Sequence, residues 1–506
     1  MNLPDAFIAL SIPLLLLMAA TRRSLHRGIN LGDEGYLVYG TQEVLRGKIP
    51  ILDFRAYDPL RYYWCAVWVR MIGSEFIAIR LSMVAFSALS VALCSMLVLS
   101  TSGNPIAAAL SGVLALIWMH PRHKQIEHFF SLVCCCVMYA LIAGIGSPFL
   151  LGAVGAIGAA FGLNILVYFF GAAVLSFAAN WLLRETAGLE GLSDFLIGLV
   201  SGMALLLFIA AMTPGFLRRY LDLKVLALLK RGSTNLRLQR PWIWKRCPQQ
   251  FAHFTPWVQV GLRLLFTLLP AFYLASIVSY PQSTAESPAV QLILAASCTG
   301  LAYFHHALSR ADLSHIHQIM QPAIVAFAGV SVALFSDHMA VMTLLLAIVA
   351  SLALLRNTPE FAQTWRSPAA SYIPWVVGND RFLLPKNQLN ELKEKQSLVE
   401  RYTRAKDPIF TAPSSAAFLA LFHRRSAVYD TFPIYPANPA GQRRMLEELH
   451  DSQPPLAFIS KGMVDQREDL QFEKNYPEVF RFFTEQYHLL EESPSGYVFV
   501  RQKPPS

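Results

Sequence analysis

The sequence predicts a polytopic α-helical membrane protein, with about eleven transmembrane helices in residues 1–356 and a soluble α/β domain in residues 357–506. Three observations carry this prediction. The chain of 506 residues is 54% hydrophobic and only 15% charged, with a mean hydropathy of +0.41, too apolar for an ordinary soluble domain. Uncharged windows of about 17 to 25 residues, the length a bilayer needs, recur before Leu355 and are absent after it. The residues beyond alternate short strand-like runs with helix-like stretches.

In chain order the spans fall at roughly 4–20, 77–99, 104–119, 128–144, 148–162, 164–183, 194–213, 258–279, 288–304, 320–336 and 339–355. No basic stretch precedes the first, and Arg22-Arg23 follow it in place of a small-residue cleavage site, so it is a retained helix rather than a signal peptide. Phe129 to Leu183 contains no charged residue. A single helix of that length would measure about 80 Å, more than twice the hydrocarbon thickness. Breaks are therefore required, and Gly144, Gly146 and Pro148, then Gly162 and Asn164, permit them. Of the seven cysteines, Cys94, Cys134, Cys135, Cys136 and Cys298 lie in apolar stretches and act as small hydrophobes, with neither a disulfide framework nor a metal spacing.

With a cytoplasmic N-terminus, eleven spans put the loops 21–76, 120–127, 214–257 and 305–318 and the tail on one outer face. The long loop holds Arg218, Arg219, Lys224, Lys230, Arg231, Arg237, Arg240, Lys245 and Arg246 against the single acid Asp222. Charge bias alone would assign such a loop to the cytoplasm. It also contains an apolar-basic stretch from Phe216 to Leu229 and the pair Trp242 and Trp244, which read either as an interfacial element on anionic lipid or as a lid. The net charge of +9 sits in loops flanking spans, which points to membrane lipids or a lipid phosphate as partner and not to nucleic acid.

In the tail, Asp407 to Ala412, Ser426 to Thr431, Pro455 to Lys461 and Gly496 to Gln502 read as strands. Ser415 to His423, Gly441 to His450 and Tyr476 to Leu490 read as helices. No glycine-rich phosphate loop opens any of these helices.

The chemistry concentrates in the stretch from Gly28 to Trp64. Asp33-Glu34 precede a helical run that Gly47 is placed to stop. Asp33 has two readings, a helix N-cap or a general base. It is followed within one loop by Asp53, Arg55, Asp58 and Arg61 and by Tyr57, Tyr62, Tyr63 and Trp64, which together supply acids, phosphate-binding cations and sugar-stacking faces. A second segment, His120 to Phe129, brings Arg122, His123, Lys124, Glu127 and His128 to the start of a span, either as interfacial anchors or as a phosphate site facing a wet interior. A third, His305 to Gln318, carries Arg310, Asp312, His315 and His317. Asp312 and His315 are three apart, so they share a face if the segment is helical. They form either an Arg-Asp-His cluster at a helix end or, with His305 or His306, a site for a divalent metal.

The run from Asp33 to Trp64, followed by Ile72 to Val84, resembles the first extracytoplasmic loop of GT-C fold glycosyltransferases, the group containing protein O-mannosyltransferases and the lipid A aminoarabinose transferase. The matching pieces are the acid pair Asp33-Glu34, Pro59 to Trp64, and Arg80-Leu81 at the second span. Relatives often carry Lys-Pro-Pro before the tyrosines, where this chain has Tyr57-Asp58-Pro59, so a cation is replaced by an acid and phosphate binding falls to Arg55, Arg61 or the basic loop. The resemblance implies a GT-C-like body and transfer of a sugar, with inversion, from a polyprenyl-phosphate donor to a hydroxyl of a glycan, lipid or protein acceptor. It further implies a bacterial inner-membrane protein whose site and tail are extracytoplasmic. On this reading Asp33 is the base, Glu34 and Asp58 shape the sugar or acceptor site with Arg55, Arg61 and Tyr62, and Arg122, Lys124 and Arg310 bind phosphate beside His123, Glu127, Asp312 and His315. The rivals are a lipid-linked sugar transporter or flippase, for which no internal repeat is visible, and a non-catalytic polysaccharide-assembly scaffold.

Overall fold

A computed structural model describes residues 2–184, 191–231, 236, 238–279 and 287–501. Arg237 and Gln502 lie outside the described residues. The chain forms two compact units, one of Met1–Leu25 with Arg80–Ser367 and one of His26–Ile79 with Pro368–Ser506.

The first unit is helical. Among the described residues six helices are long and apolar enough to cross a bilayer: Leu3–Ser24, Phe76–Ser102, Arg122–Ile142, Pro256–Val278, Pro288–Ser309 and Asp337–Leu355. Helices Leu192–Gly202 and Leu206–Met212 pass the same test as a pair bent by 43°, and Pro105–Ile117, Pro148–Phe161, Leu163–Ala179 and Met320–Leu334 are shorter apolar helices. The long uncharged run is broken where its glycines and proline allow. One helix ends at Ile142, before Gly144 in the left-handed region, and the next starts at Pro148, where the Ser147 side chain accepts from the Leu150 N–H. Gly162 then ends that helix. At the C-terminal end of the first helix, Arg80 Nη1 donates to the Leu25 carbonyl at 2.6 Å and Arg122 Nη1 to the Ser24 carbonyl at 3.1 Å, so two cations meet the negative end of its dipole.

The second unit contains an antiparallel hairpin, β1 (Tyr372–Val377) and β2 (Asp380–Pro385), and a five-stranded sheet. The sheet strands are β3 (Pro408–Ala412), β4 (Arg425–Ser426), β5 (Leu456–Ser460), β6 (Tyr487–Ser493) and β7 (Gly496–Arg501), in the order β4-β3-β5-β7-β6. β3 is parallel to β4 and β5, whereas β7 is antiparallel to both its neighbours. Helices Pro439–Ser452 and Pro477–Gln486 bury Leu449, Val479 and Phe483 in a core with Phe410, Phe472 and Phe499.

Two tail elements differ from the sequence prediction. The strand predicted over Ser426 to Thr431 stops at Ser426, because the Ser426 hydroxyl accepts from Val428 N–H and Asp430 from Phe432 N–H, and such local side-chain bonds turn the chain out of the ladder. The helix predicted over Tyr476 to Leu490 ends at Gln486, and Tyr487–Ser493 instead pairs with β7. The hairpin of β1 and β2 and the helix Lys386–Tyr402 have no counterpart in that prediction.

Much of the first loop is helical, as the run between Asp33-Glu34 and Gly47 predicts for its first part. Asp33–Leu45 and Pro59–Ile72 are helices, the second covering the segment that carries the tyrosines. Although hydropathy groups this stretch with residues 1–356, it is bonded to the C-terminal residues throughout. Gly28 N–H donates to Leu383 O at 2.9 Å, Ala417 N–H to Leu31 O at 3.0 Å, Gln42 Nε2 to Ala420 O at 3.0 Å and Arg55 N–H to Tyr429 O at 3.0 Å.

Candidate active site

In the second unit the site is built on the N-terminus of helix Asp33–Leu45. Gly32 occupies the N-cap, so Asp33 is the first helical residue and the capping reading does not hold for it. Its carboxylate is half-buried, and Oδ1 accepts a hydrogen bond from the Tyr57 hydroxyl at 2.7 Å. Glu34, beside it in sequence, is 1% exposed and its Oε2 accepts from the Asn30 N–H at 3.1 Å, which ties down the loop entering the helix. Asp58 is the N-cap residue of helix Pro59–Ile72 and is buried, with no capping bond from its side chain.

Arg55 forms an ion pair with Asp430 and lies 4.8 Å over the Tyr435 ring. Burial opposes its charge, but Asp430 and then Tyr36 hold the guanidinium above its usual range. Arg61 is buried, with its guanidinium 5.2 Å over the Tyr57 ring. Tyr62 is fully buried, and its hydroxyl accepts from the Tyr57 N–H at 3.0 Å. The structure thus brings Asp33, Arg55, Arg61 and Tyr62 into one network through Tyr36 and Tyr57.

In the first unit the two other segments meet. Asp312 caps helix Leu313–Gln318, accepts from His315 N–H at 2.8 Å and Nδ1 at 2.7 Å, and pairs with Arg310 Nε at 2.8 Å. Burial pushes its carboxyl up, but His315 and Arg310 outweigh this and hold it well below the usual carboxylate range. The His315 ring lies 4.7 Å from that of His306, whose nitrogens contact Gln318 Oε1 at 2.9 Å and the Tyr168 hydroxyl at 3.1 Å. Glu127 and Lys124 are both within electrostatic reach of His306, which joins the 120–129 segment to the 305–318 segment. Glu127 and His123 are buried, and Lys124 and Arg122 are half-buried.

Arg310, Asp312 and His315 thus lie together at the start of helix Leu313–Gln318. Among the described residues no three His, Cys, Asp or Glu side chains are grouped so as to hold a metal. Sequence reasoning missed Tyr168 and Asp430. Tyr168 sits in an uncharged run, where a lone phenol resembles a lipid-facing aromatic, and only its polarity within a span marks it. Asp430 lies some 375 positions from its partner and carries no local signal.

Neither a family model nor a curated protein matches the chain. Solved structures do. ArnT from Cupriavidus metallidurans bound to undecaprenyl phosphate superposes with a TM-score of 0.55 at 14% identity, over 97% of this chain and 97% of that one. The same protein in the apo state gives 0.53 at 14% identity, over 99% and 98%. The likeness spans the helical body and the small C-terminal sheet together, so the chain has the fold of ArnT, a GT-C fold.

Proposed function

We propose that the protein is an inverting glycosyltransferase that moves a sugar from a polyprenyl-phosphate donor to an acceptor hydroxyl at the outer face of a bacterial inner membrane. The observation that carries this reading is Asp33, a half-buried carboxylate at the start of a helix whose next ten residues are buried, set among arginines and tyrosines. Whole-length likeness to an ArnT crystallised with undecaprenyl phosphate supports a lipid-phosphate donor.

The chemistry needs two services. The acceptor oxygen attacks the anomeric carbon, the bond from that carbon to the phosphate oxygen breaks, and its electron pair leaves with the polyprenyl phosphate. Asp33 takes the acceptor's proton as the new bond forms. The leaving phosphate gains negative charge, which Arg122, Lys124 and Arg310 offset, the last held in register by Asp312 and His315. Glu34 and Asp58 act on the shape of the sugar or acceptor site, Glu34 through the loop at Asn30.

The test measures free polyprenyl phosphate released from a panel of lipid-linked sugars, with envelope extract as acceptor source. Wild type should release it, and Asp33→Asn, which is isosteric, should lose at least about 100-fold of that rate. Equal release by both would remove Asp33 from the mechanism. No release by wild type from any donor would favour a transporter.

A further inference from the structure

The Asp33 carboxylate is held by a phenol that is itself clamped. Tyr57 donates its hydroxyl to Asp33 Oδ1 at 2.7 Å. Three contacts leave that phenol little freedom. Its backbone N–H is fixed on the hydroxyl of fully buried Tyr62 at 3.0 Å, the Arg61 guanidinium covers one side of its ring at 5.2 Å, and Tyr36 meets it edge-on at 5.0 Å. Tyr36 stands three residues after Asp33 on the same helix, so the two share a face. It is anchored in turn, donating to the Arg55 carbonyl at 2.6 Å and stacking on Phe432 at 5.0 Å. Helix Asp33–Leu45 and the chain at 55–57 are therefore joined by two phenol bonds running in opposite directions, Tyr36 to Arg55 and Tyr57 to Asp33. Burial first, and then the Asp33 charge, push the Tyr57 phenol well above its ordinary value, so it stays protonated and remains a donor.

We propose that Tyr57 is a positioning residue for Asp33, fixing the rotamer of the carboxylate and keeping it ionised through a directed hydrogen bond. The inference rests on Asp33 being the base. A hydrogen bond donated to a carboxylate favours its charged form, so this bond extends the acid side of the pH range in which Asp33 can accept a proton. It also holds the reacting oxygens in one orientation, and small misplacements of a base are costly in rate. Neither effect changes contacts to the donor lipid, so the consequence falls on turnover and its pH profile.

Tyr57→Phe removes the hydroxyl and keeps the ring that Arg61 and Tyr36 pack against. Turnover should fall about 10- to 100-fold with an unchanged KM for the lipid donor, and the acid limb of the rate profile should move up by about one pH unit. Difluorotyrosine at position 57, a stronger donor of the same shape, should move the limb the other way, which a packing role cannot do. If Asp33→Asn is inactive while Tyr57→Phe leaves the limb in place, the positioning role is overturned and the base stands. If Asp33→Asn is active, the reading of Asp33 itself has failed. Should Tyr57→Phe not fold, the difluorotyrosine protein decides alone, and an unmoved limb overturns the proposal.

Discussion

Removing the Asp380 carboxylate should destabilise the protein measurably without touching the candidate site. Asp380 opens β2 and is 4% exposed. Its two oxygens accept from the backbone N–H groups of Glu75 and Phe76, each at 3.0 Å, and of Ile77 at 2.9 Å. These donors lie at the start of helix Phe76–Ser102, where the first turn has no partners within the helix. Loss of a capping side chain ordinarily costs about 0.5–2 kcal/mol, and hydrogen bonds to a charged acceptor contribute about 1.5–3 kcal/mol each before water replaces them. With water recovering part of the loss, Asp380→Ala should cost about 3 kcal/mol. At roughly 2–4 °C per kcal/mol, thermal melting of the purified protein in detergent should drop by about 6–12 °C. Asp380→Asn keeps one carbonyl oxygen as acceptor and should lose less than half as much. A melting temperature for Asp380→Ala within about 2 °C of wild type would refute the reasoning, as would an Asp380→Asn protein as damaged as Asp380→Ala.

Gly35 and Gly40 test how tightly helix Asp33–Leu45 is packed: a Cβ on Gly35 would lie 2.3 Å from the Ala417 backbone nitrogen, and one on Gly40 2.3 Å from the Tyr62 ring. Both changes to Ala should lower the melting temperature even though Ala favours a helix by about 1 kcal/mol, and Gly35→Ala should lower it more, because a backbone cannot swing aside. The His120 imidazole is driven down to about 4, first by burial and then by His128, from about 6.5 in an unfolded chain. Between those values the unfolded state binds more protons than the folded one. Stability should therefore fall as pH drops from about 6.5 toward 4, by up to about 1.4 kcal/mol per unit, and melting of His120→Gln followed against pH should show a shallower slope.

Much of the membrane body is legible in the sequence because its signal is local. A span announces itself by length and apolarity, and a break by Gly144, Pro148 or Gly162, with no reference to anything distant. The strands β3, β5 and β7 are legible for the same reason, as short apolar runs with turn residues at their ends. What was not legible depends on partners far along the chain. Tyr487–Ser493 follows a real helix and continues its pattern, and only the pairing with β7 makes it a strand. The neighbours of Asp33 in sequence mark it as a candidate base, but that Gly32 holds the N-cap and Tyr57 the carboxylate follows from backbone geometry that composition does not encode. Glu34 and Asp58 share the same acidity with different duties, one bonded to the Asn30 N–H and the other set at the start of a helix.

The boundary between membrane body and tail is the clearest case where hydropathy and structure divide the chain differently. Ten consecutive residues of helix Asp33–Leu45, from Glu34 to Glu43, are buried. A helix buried on every face needs partners on every face, yet this one carries acids and an amide that by sequence alone suit a solvent-facing helix. A segment as short as His26–Ile79 has too little chain to bury such a helix by itself. The missing surface comes from the tail: helix Ala416–Leu421 at Gly35 and Gln42, the ring of Phe432 at Tyr36, and Asp430 at Arg55. Because those contacts seat the helix that begins at Asp33, the C-terminal residues help set the direction in which the carboxylate faces. They do so whether or not they also touch an acceptor. The tail is therefore part of the apparatus that holds Asp33, and a substitution at Ala417 or Asp430 acts on the same carboxylate as one at Gly35 or Arg55.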